Sequence, residues 1–148
     1  MQKQISIRPV QASDLSRILA IERSGFGQWA WDRNLFAEYA RTCGGLFLVA
    51  EEGGKVIGYG IACLLRSGAS LESIAVAPSA RGKGAADALM NSLLRRLRRR
   101  GVPRLSLMVK ITNLRAIAFY ERFRFRRIRR VTRYYEDNED ALLFHLDL

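Results

Sequence analysis

The chain has 148 residues, of which 49% are hydrophobic and 26% charged, a composition typical of a globular protein and not of a disordered one. Lys and Arg number 25 against 14 Asp and Glu, and the resulting formal charge of +11 favours polyanionic partners over cationic small molecules. The length predicts a single domain over residues 1–148, and the lack of a long apolar run or a secretion signal predicts a cytoplasmic protein without membrane contact.

The first part of the chain is predicted to contain one strand and two helices. Ile5 and Ile7 alternate with polar residues, as in a strand, and a proline follows them. Ser13 or Asp14 can cap a helix that two glycines end. Its apolar residues recur at helical spacing: Leu15, Ile18, Leu19 and Ile21. Residues 29–41 indicate a second, short helix.

The middle of the chain predicts three strands and a helix. The apolar runs 46–51 and 56–65 are separated by a Gly-Gly pair, which indicates a hairpin, and a third strand over 71–76 ends before Pro78. A helix over 84–99 follows, and the arginines in its last turns complement the helix dipole.

The last part of the chain predicts a strand over 105–111, a helix over 113–123 and closing strands over 125–132 and 141–148. Because hairpins join the early strands and helical crossovers join the later ones, we expect a mixed sheet with helices on both faces.

Arginines form two clusters, and either cluster can be a solvated face or a contact for a polyanion such as RNA or a ribosome. The first cluster comprises Arg95, Arg96, Arg98, Arg99 and Arg100. The second comprises Arg122, Arg124, Arg126, Arg127, Arg129, Arg130 and Arg133. No aromatic residues clearly interleave with either cluster in the manner of a base-stacking surface.

The cysteines and the single histidine are interpreted as structural. Cys43 and Cys63 are too few for a disulfide scaffold and lack the spacing of a zinc site, so buried thiols are expected. His145 has no partner ligands nearby in sequence, and no metal site is expected.

The most informative segment joins a strand to a helix through a glycine-containing turn. Gly82 and Gly84 allow an anion to approach the backbone, and Arg81 and Lys83 add positive charge. The N–H groups in the first turn of a helix have no helical partners, and therefore suit a diphosphate. The spacing fits neither a Walker A loop nor a dinucleotide-binding loop. A purely structural helix start is the alternative.

The segment Arg81-Gly82-Lys83-Gly84-Ala85-Ala86 resembles the R/Q-x-x-G-x-G/A signature of the GNAT superfamily of N-acetyltransferases. A second resemblance is to the family's N-x-x-A…Y-E…F helix, which matches this chain at Asn113, Tyr120, Glu121 and Phe125. The tail that begins at Tyr134 is similar to that of RimI-type protein N-terminal acetyltransferases. Together these motifs extend the resemblance over essentially the whole chain.

The resemblance implies an α+β fold with a mostly antiparallel sheet of about seven strands, and an enzyme that binds acetyl-CoA. The backbone of Ile74, Ala75 and Val76 would pair with the pantetheine arm, and the loop from Arg81 to Ala86 would hold the pyrophosphate. Asn113 would bond to the pantetheine region, and Tyr120 would act as the general acid toward the leaving thiolate. Trp29, Trp31 and Phe36 would be core or acceptor-pocket wall.

Two residues depart from the family pattern. Met108 replaces the glutamate that commonly serves as general base, so Glu72 is the candidate for that role, with an exposed, arginine-paired carboxylate as the alternative. Arg124 stands where a glycine usually follows the Asn helix.

The expected reaction is transfer of acetyl to an amine by direct attack in a ternary complex. Without the usual glutamate, the enzyme is expected to have only a weak general base, which favours a protein N-terminal α-amine as the acceptor. Roughly a fifth of such amines are already neutral at cellular pH, against about 0.1% of lysine side chains. The resemblance therefore favours a protein N-terminus of the ribosomal-protein type, in a monomer or homodimer. The alternatives are a small-molecule amine acceptor and a degenerate domain that binds RNA or protein without catalysis.

Overall fold

The structure, a computed structural model, describes residues 4–27 and 30–148. In chain order its strands and helices are β1 (Ile5–Pro9), α1 (Leu15–Phe26), α2 (Arg33–Cys43), β2 (Phe47–Glu52), β3 (Lys55–Leu65), β4 (Gly68–Val76), α3 (Ala85–Arg99), β5 (Arg104–Lys110), α4 (Leu114–Arg122), β6 (Arg126–Val131) and β7 (Ala141–Asp147). No helix in these ranges has the length and apolarity needed to cross a membrane.

The strands form one seven-stranded sheet in the order β1-β2-β3-β4-β5-β7-β6. All neighbouring strands are antiparallel except β4 and β5, which are parallel. The α3 helix forms the crossover between β4 and β5, as a parallel connection requires. The predicted mixed, mostly antiparallel sheet is confirmed.

The alternation of side chains along β3 explains how helices cover both faces of the sheet. Tyr59 points to one face, where its ring packs edge-on against Phe36 of α2 with centroids 5.4 Å apart. Gly58 and Gly60 point to the other face, toward α3. A Cβ on Gly60 would lie 3.2 Å from Leu93 Cδ1, so the absence of a side chain there lets α3 pack closely. The helices expected on both faces are therefore present.

The beginnings of the two N-terminal helices differ from the sequence expectation. Asp32 caps α2 by accepting a hydrogen bond from the Leu35 N–H at 3.0 Å, so the helix begins at Arg33 and not at residue 29, while Trp29 lies outside the described residues. The Asp14 carboxylate lies beside the start of α1, but it accepts from Arg8 and from the Gln11 N–H instead of capping the helix. These bonds to Arg8 lower the pKa of Asp14.

The expectation of two buried thiols is wrong. Cys43 ends α2 and Cys63 lies on β3, and the two sulfur atoms form a disulfide with Cα atoms 5.2 Å apart. The cysteines are 20 residues apart in sequence, and the packing of α2 on the sheet brings them together. Disulfides are rare in the cytosol of most organisms, so this bond does not support the expected reducing compartment.

The turn after α4 is built as the resemblance implies, despite the absence of glycine. Arg124 has φ 70°, in the left-handed region that glycine adopts at low cost. The N–H groups of Arg124 and Phe125 donate to the carbonyls of Glu121 and Tyr120 at 2.9 and 3.1 Å, which closes the helix end. Because Arg124 has a Cβ, its left-handed conformation has a steric cost that a glycine would not have.

We predict that Arg124→Gly raises the melting temperature, because relief of the left-handed strain is worth on the order of 1 kcal/mol. Differential scanning calorimetry at pH 7 measures the effect. The control is Arg124→Ala, which removes the guanidinium but keeps the Cβ, and should give no increase. A lower melting temperature for the glycine variant would show that this turn carries no such strain.

Candidate active site

The parallel strands β4 and β5 separate along their length. They pair only at Ala69 with Leu105 and at Ser70 with Ser106. Beyond that point β5 continues beside β7 through Lys110, and β4 continues beside β3 through Val76. Within the described residues, no strand pairs with the β5-facing edge of β4 over residues 71–76. Ile74, Ala75 and Val76, predicted to bind a pantetheine arm, lie half-buried along this edge.

A β-bulge marks the point where the strands separate. Along the β3–β4 pair, Ile61 faces Ser73 and the next residue, Ala62, faces Leu71, so Glu72 is the extra residue. The Glu72 carboxylate accepts hydrogen bonds from the Ser70 hydroxyl and, at 3.3 Å, from the Tyr39 hydroxyl. Burial and the Glu72 charge raise the pKa of Tyr39 to about 12. Glu72 is therefore a hydrogen-bonded carboxylate in the bulge, and it forms no ion pair with an arginine of the described ranges.

The glycine-containing loop lies directly beyond the exposed edge of β4. Gly82 and Gly84 have φ of 81° and 84°, so the loop needs the left-handed conformation at both positions. The first helical bond of α3 runs from the Ala88 N–H to the Gly84 carbonyl, which leaves the preceding N–H groups, including those of Ala85 and Ala86, without helical partners.

The two basic residues of this loop differ in their surroundings. The Lys83 ammonium lies 3.1 Å from the Glu52 carboxylate, whereas Arg81 is exposed and makes no ion pair with the described residues. The loop therefore has the backbone donors and the positive charge of an anion site.

The α4 helix carries Asn113 at its start and Tyr120 in its buried face. The Asn113 side-chain oxygen accepts from the Ala116 N–H at 3.2 Å, so it caps the helix and leaves the amide N–H groups to donate elsewhere. Tyr120 packs against Phe125 and Phe144, and burial, followed by the nearby Tyr135, raises its pKa. Among the described residues the Tyr120 hydroxyl has no hydrogen-bond partner, and its oxygen keeps some solvent-accessible area although the residue is buried.

One ion pair fastens α4 to the start of α3. Arg122 donates to both oxygens of Asp87 at 2.9 Å, and its guanidinium also lies 5.5 Å from the centroids of Phe119 and Phe123. Asp87 is in the first turn of α3, where a negative charge complements the helix dipole. The pair therefore connects the helix that carries Tyr120 to the glycine-containing loop.

A shallow cleft of about 410 Å³ opens between the segment before α2 and the β6–β7 loop. Ala30 and Trp31 line one side, and residues 134–137 line the other. Trp31 is half-buried in the cleft wall and packs on Phe36, which lies in the core. Of the two roles expected for these residues, Trp31 therefore has that of pocket wall and Phe36 that of core. Burial raises the pKa of Tyr135, in the second wall, to about 12. The charge of Tyr135 also contributes to the raised pKa of Tyr120, after the larger effect of burial.

The buried carboxylate of Glu22 binds the backbone of Trp31, which lines the cleft, and was not predicted from the sequence. Glu22 of α1 is 2% exposed; it accepts from the Trp31 N–H at 2.8 Å and from the Tyr59 hydroxyl. The Tyr59 hydroxyl also lies 3.2 Å from the Ser73 hydroxyl on β4. Burial raises the pKa of Glu22, although these two hydrogen bonds oppose the shift. The sequence does indicate that Glu22 is buried, because Glu22 continues the apolar helical stripe of Leu15, Ile18 and Leu19.

Three other expectations concern residues near this region. Met108 is half-buried on β5 opposite Leu143 of β7 and offers no proton acceptor. Burial, followed by the charges of Arg104 and Arg126, lowers the pKa of His145. Among residues 4–27 and 30–148, no cluster of three or more His, Cys, Asp or Glu side chains is suited to hold a metal ion.

Comparisons with known proteins agree with this geometry. The sequence profile of the acetyltransferase (GNAT) family matches residues 13–125. An N-alpha-acetyltransferase of Sulfolobus acidocaldarius is 31% identical over 151 positions, covering 93% of this chain and 89% of that protein. The ribosomal-protein-S18-alanine N-acetyltransferase from Escherichia coli superposes with a TM-score of 0.84 at 29% identity, over 97% of this chain and 94% of that one. Ard1 from Thermoplasma volcanium shares the fold, with a TM-score of 0.92 at 23% identity over 97% of both chains.

We predict that ionisation of Glu22 costs stability. Its folded-state pKa is raised above the ordinary 4.5, so the neutral form is favoured by folding, and this contribution is lost as pH rises through the raised pKa. The unfolding free energy of the wild type relative to Glu22→Gln should therefore fall between pH 4 and pH 8, by about 1.4 kcal/mol for each unit of pKa shift.

Urea unfolding at several pH values measures this difference, and the exposed Glu38→Gln should give a flat profile. A difference that instead grows with pH would mean that the hydrogen bonds from Trp31 and Tyr59 outweigh burial.

Proposed function

Because this chain belongs to the GNAT family of acetyltransferases, enzymes that take the acetyl group from acetyl-CoA, we propose that it acetylates the N-terminal α-amine of a protein, by direct attack in a ternary complex. The acceptor we propose is of the ribosomal-protein type. The names of two relatives, an N-alpha-acetyltransferase and a ribosomal-protein-S18-alanine N-acetyltransferase, support this acceptor class.

The observation that carries the proposal is the exposed edge of β4 beside the glycine-containing loop. An extended ligand rich in amide groups can satisfy the backbone of Ile74, Ala75 and Val76 as an added strand would. The loop N–H groups through Ala86, with Arg81 and Lys83, suit its phosphates. The residues present therefore fit acetyl-CoA, and the amide N–H groups of Asn113 suit a carbonyl of the same arm.

We assign the proton donor to Tyr120. Bound acetyl-CoA supplies an acyl group on a sulfur leaving group. The acceptor nitrogen bonds to the acyl carbon as the C–S bond breaks, and the departing thiolate takes a proton from the Tyr120 hydroxyl. Its raised pKa keeps Tyr120 protonated at neutral pH, as a donor must be, and its hydroxyl has no competing hydrogen-bond partner among the described residues.

We assign the proton acceptor to Glu72. Its position in the bulge, where β4 and β5 separate, supports this role, because the bulge adjoins the exposed edge of β4. Glu72 and Tyr120 share no hydrogen bond within the described residues. Glu72 can therefore accept the proton of the incoming amine, while Tyr120 separately donates a proton to the departing thiolate. The amine proton reaches Glu72 directly or through one water.

The charge of the cleft favours a cationic acceptor group. Two acidic side chains, Glu136 and Asp137, and one basic side chain, Lys110, lie in its wall, although the protein as a whole carries a charge of +11. Asp137 is paired with Lys110 at 2.6 Å, whereas Glu136 makes no ion pair with the described residues. A peptide N-terminus can therefore approach a local negative site, and the rest of its chain can leave through the open cleft.

Several broader features belong to the same proposal. The continuous sheet and its single cluster of buried apolar residues support one domain over residues 1–148. A cytoplasmic location fits a ribosomal acceptor, although the Cys43–Cys63 disulfide is unusual for that compartment. The net charge supports contact with the ribosome or another polyanion. A monomer or homodimer is sufficient, because all of the proposed site residues come from one chain.

We predict that the enzyme acetylates a peptide with an α-amine at least ten times faster, in kcat/KM at pH 7.5, than the same peptide blocked at its N-terminus and carrying one lysine. The α-amine is far more often neutral at this pH. Mass spectrometry of the products measures both rates. Tyr120→Phe should lower kcat about 100-fold, because it removes the proposed proton donor and keeps the ring.

Faster acetylation of lysine or of small amines would contradict the proposed acceptor. Binding of acetyl-CoA without turnover on any amine would instead indicate a binding module.

We predict that Glu72→Gln lowers the rate at about pH 6.5 more than at about pH 9, because a general base matters most where the amine is protonated. Steady-state rates across this range with one peptide test it, with Glu38→Gln as the control. An unchanged pH–rate profile would remove Glu72 from the mechanism.

A further inference from the structure

The two arginine clusters differ in how much of their charge is compensated. Arginines of the second cluster pair with carboxylates: Arg122 with Asp87, Arg126 with Asp147, Arg127 with Glu121 and Arg130 with Asp140. Among residues 4–27 and 30–148, no carboxylate lies within ion-pair distance of any arginine from Arg95 to Arg100. Within the described residues, the first cluster, on the C-terminal half of α3, therefore consists entirely of arginines without carboxylate partners, whereas in the second cluster only Arg124, Arg129 and Arg133 form no ion pair.

Three of these arginines line a groove between α3 and the edge strand β1. The groove has a volume of about 520 Å³, and Arg95, Arg96 and Arg99 lie along it, with Ile5 and Ile7 on its other side. Arg96 is held in place, since its Nη1 donates to the Gly45 carbonyl at 3.1 Å. Arg95 and Arg99 are exposed and one helical turn apart, which separates them by ~6 Å along the axis.

The arginines of this groove are distant from the acetyl-transfer site, and the groove extends from them along α3 as far as Ala88. The glycine-containing loop is at the N-terminus of α3, and Arg95 lies ten residues beyond Ala85, which corresponds to ~15 Å along the helix. The α3 helix covers the sheet face of Gly58 and Gly60, whereas α1 and α2, which lead to the acceptor cleft, cover the opposite face. A ligand in the groove therefore leaves the cleft open.

From this arrangement we infer that the groove binds the phosphate backbone of single-stranded nucleic acid without sequence preference. Guanidinium groups bind phosphate through two parallel hydrogen bonds, and three of them follow one wall. No aromatic side chain among the described residues lines the groove, which favours binding through the backbone over base stacking and sequence reading.

The position of β1 argues against an acidic peptide as the ligand. Ile5 and Ile7 are two residues apart and share one face of the strand, so the groove is bordered by a sheet face and not by the hydrogen-bonding edge. An added peptide strand would need that edge. The inference does not depend on the proposed acceptor of acetyl groups.

Fluorescence anisotropy with a labelled 20-nucleotide oligouridine, at salt concentrations from 50 to 300 mM, tests the inference. Arg95→Gln with Arg99→Gln should weaken binding at least tenfold and reduce the slope of log affinity against log salt by about 1.4, or about 0.7 for each lost contact. The matched double variant Arg127→Gln with Arg129→Gln removes the same charge from β6 and should change affinity less than threefold. Arg95→Lys with Arg99→Lys should keep the wild-type salt slope.

Circular dichroism and the acetylation rate of a short peptide check that the variants are folded. Equal losses in the two glutamine double variants would overturn the assigned position, because net charge alone would then explain binding. Absence of oligouridine binding to the wild type at 50 mM salt would overturn the inference, as would equally effective competition by polyglutamate at the same charge concentration.

Discussion

The separation of β4 from β5 is the constraint on which the rest of the site depends. The two strands share only the pairs at Ala69 and Ser70, and the edge of β4 beyond them faces no other strand in the described part of the chain. Backbone N–H and C=O groups that lose water without gaining partners cost roughly 1–3 kcal/mol each, so such an edge is stable only when solvent or a ligand completes it. The sheet thus leaves a strand-shaped opening next to the loop at the start of α3. The bulge at Glu72 occurs where this opening begins and brings an acidic group to it.

The surroundings of the opening are fixed by contacts between distant parts of the chain. The Arg122–Asp87 pair connects α4, which carries Tyr120, to the first turn of α3. On the other side, Glu22 links α1 to the Trp31 backbone and, through Tyr59, to Ser73 of β4. The cleft beside Trp31 and the opening along β4 are therefore supported by one hydrogen-bond network. The two grooves differ in charge: Glu136, Asp137 and Lys110 line the cleft, whereas Arg95, Arg96 and Arg99 line the groove beside α3, the helix that covers the other face of the sheet.

Much of the fold and the glycine-containing loop could be predicted because their signals are local. Apolar periodicity marked the helices and strands, and the spacing of Gly82 and Gly84 within a strand–loop–helix segment indicated an anion site. The disulfide was not predicted, because the pairing of Cys43 with Cys63 follows only from how α2 packs on β3. The cleft could not be predicted for the same reason, because its walls are formed by two loops about a hundred residues apart in sequence. Glu22 could have been found, because an acidic residue within an apolar helical stripe is an anomaly that demands buried partners.

Backbone hydrogen exchange of the folded protein, with and without coenzyme A, reports directly on whether the strand-shaped opening receives this molecule. Mass spectrometry resolves the peptides that cover residues 71–76 and 82–88. If the account is right, saturating coenzyme A slows exchange in both segments, while β6, at the far edge of the sheet, exchanges as before. Unaltered exchange in both segments, in protein that retains its native circular dichroism spectrum, would contradict the assignment of this opening as the site of acetyl transfer.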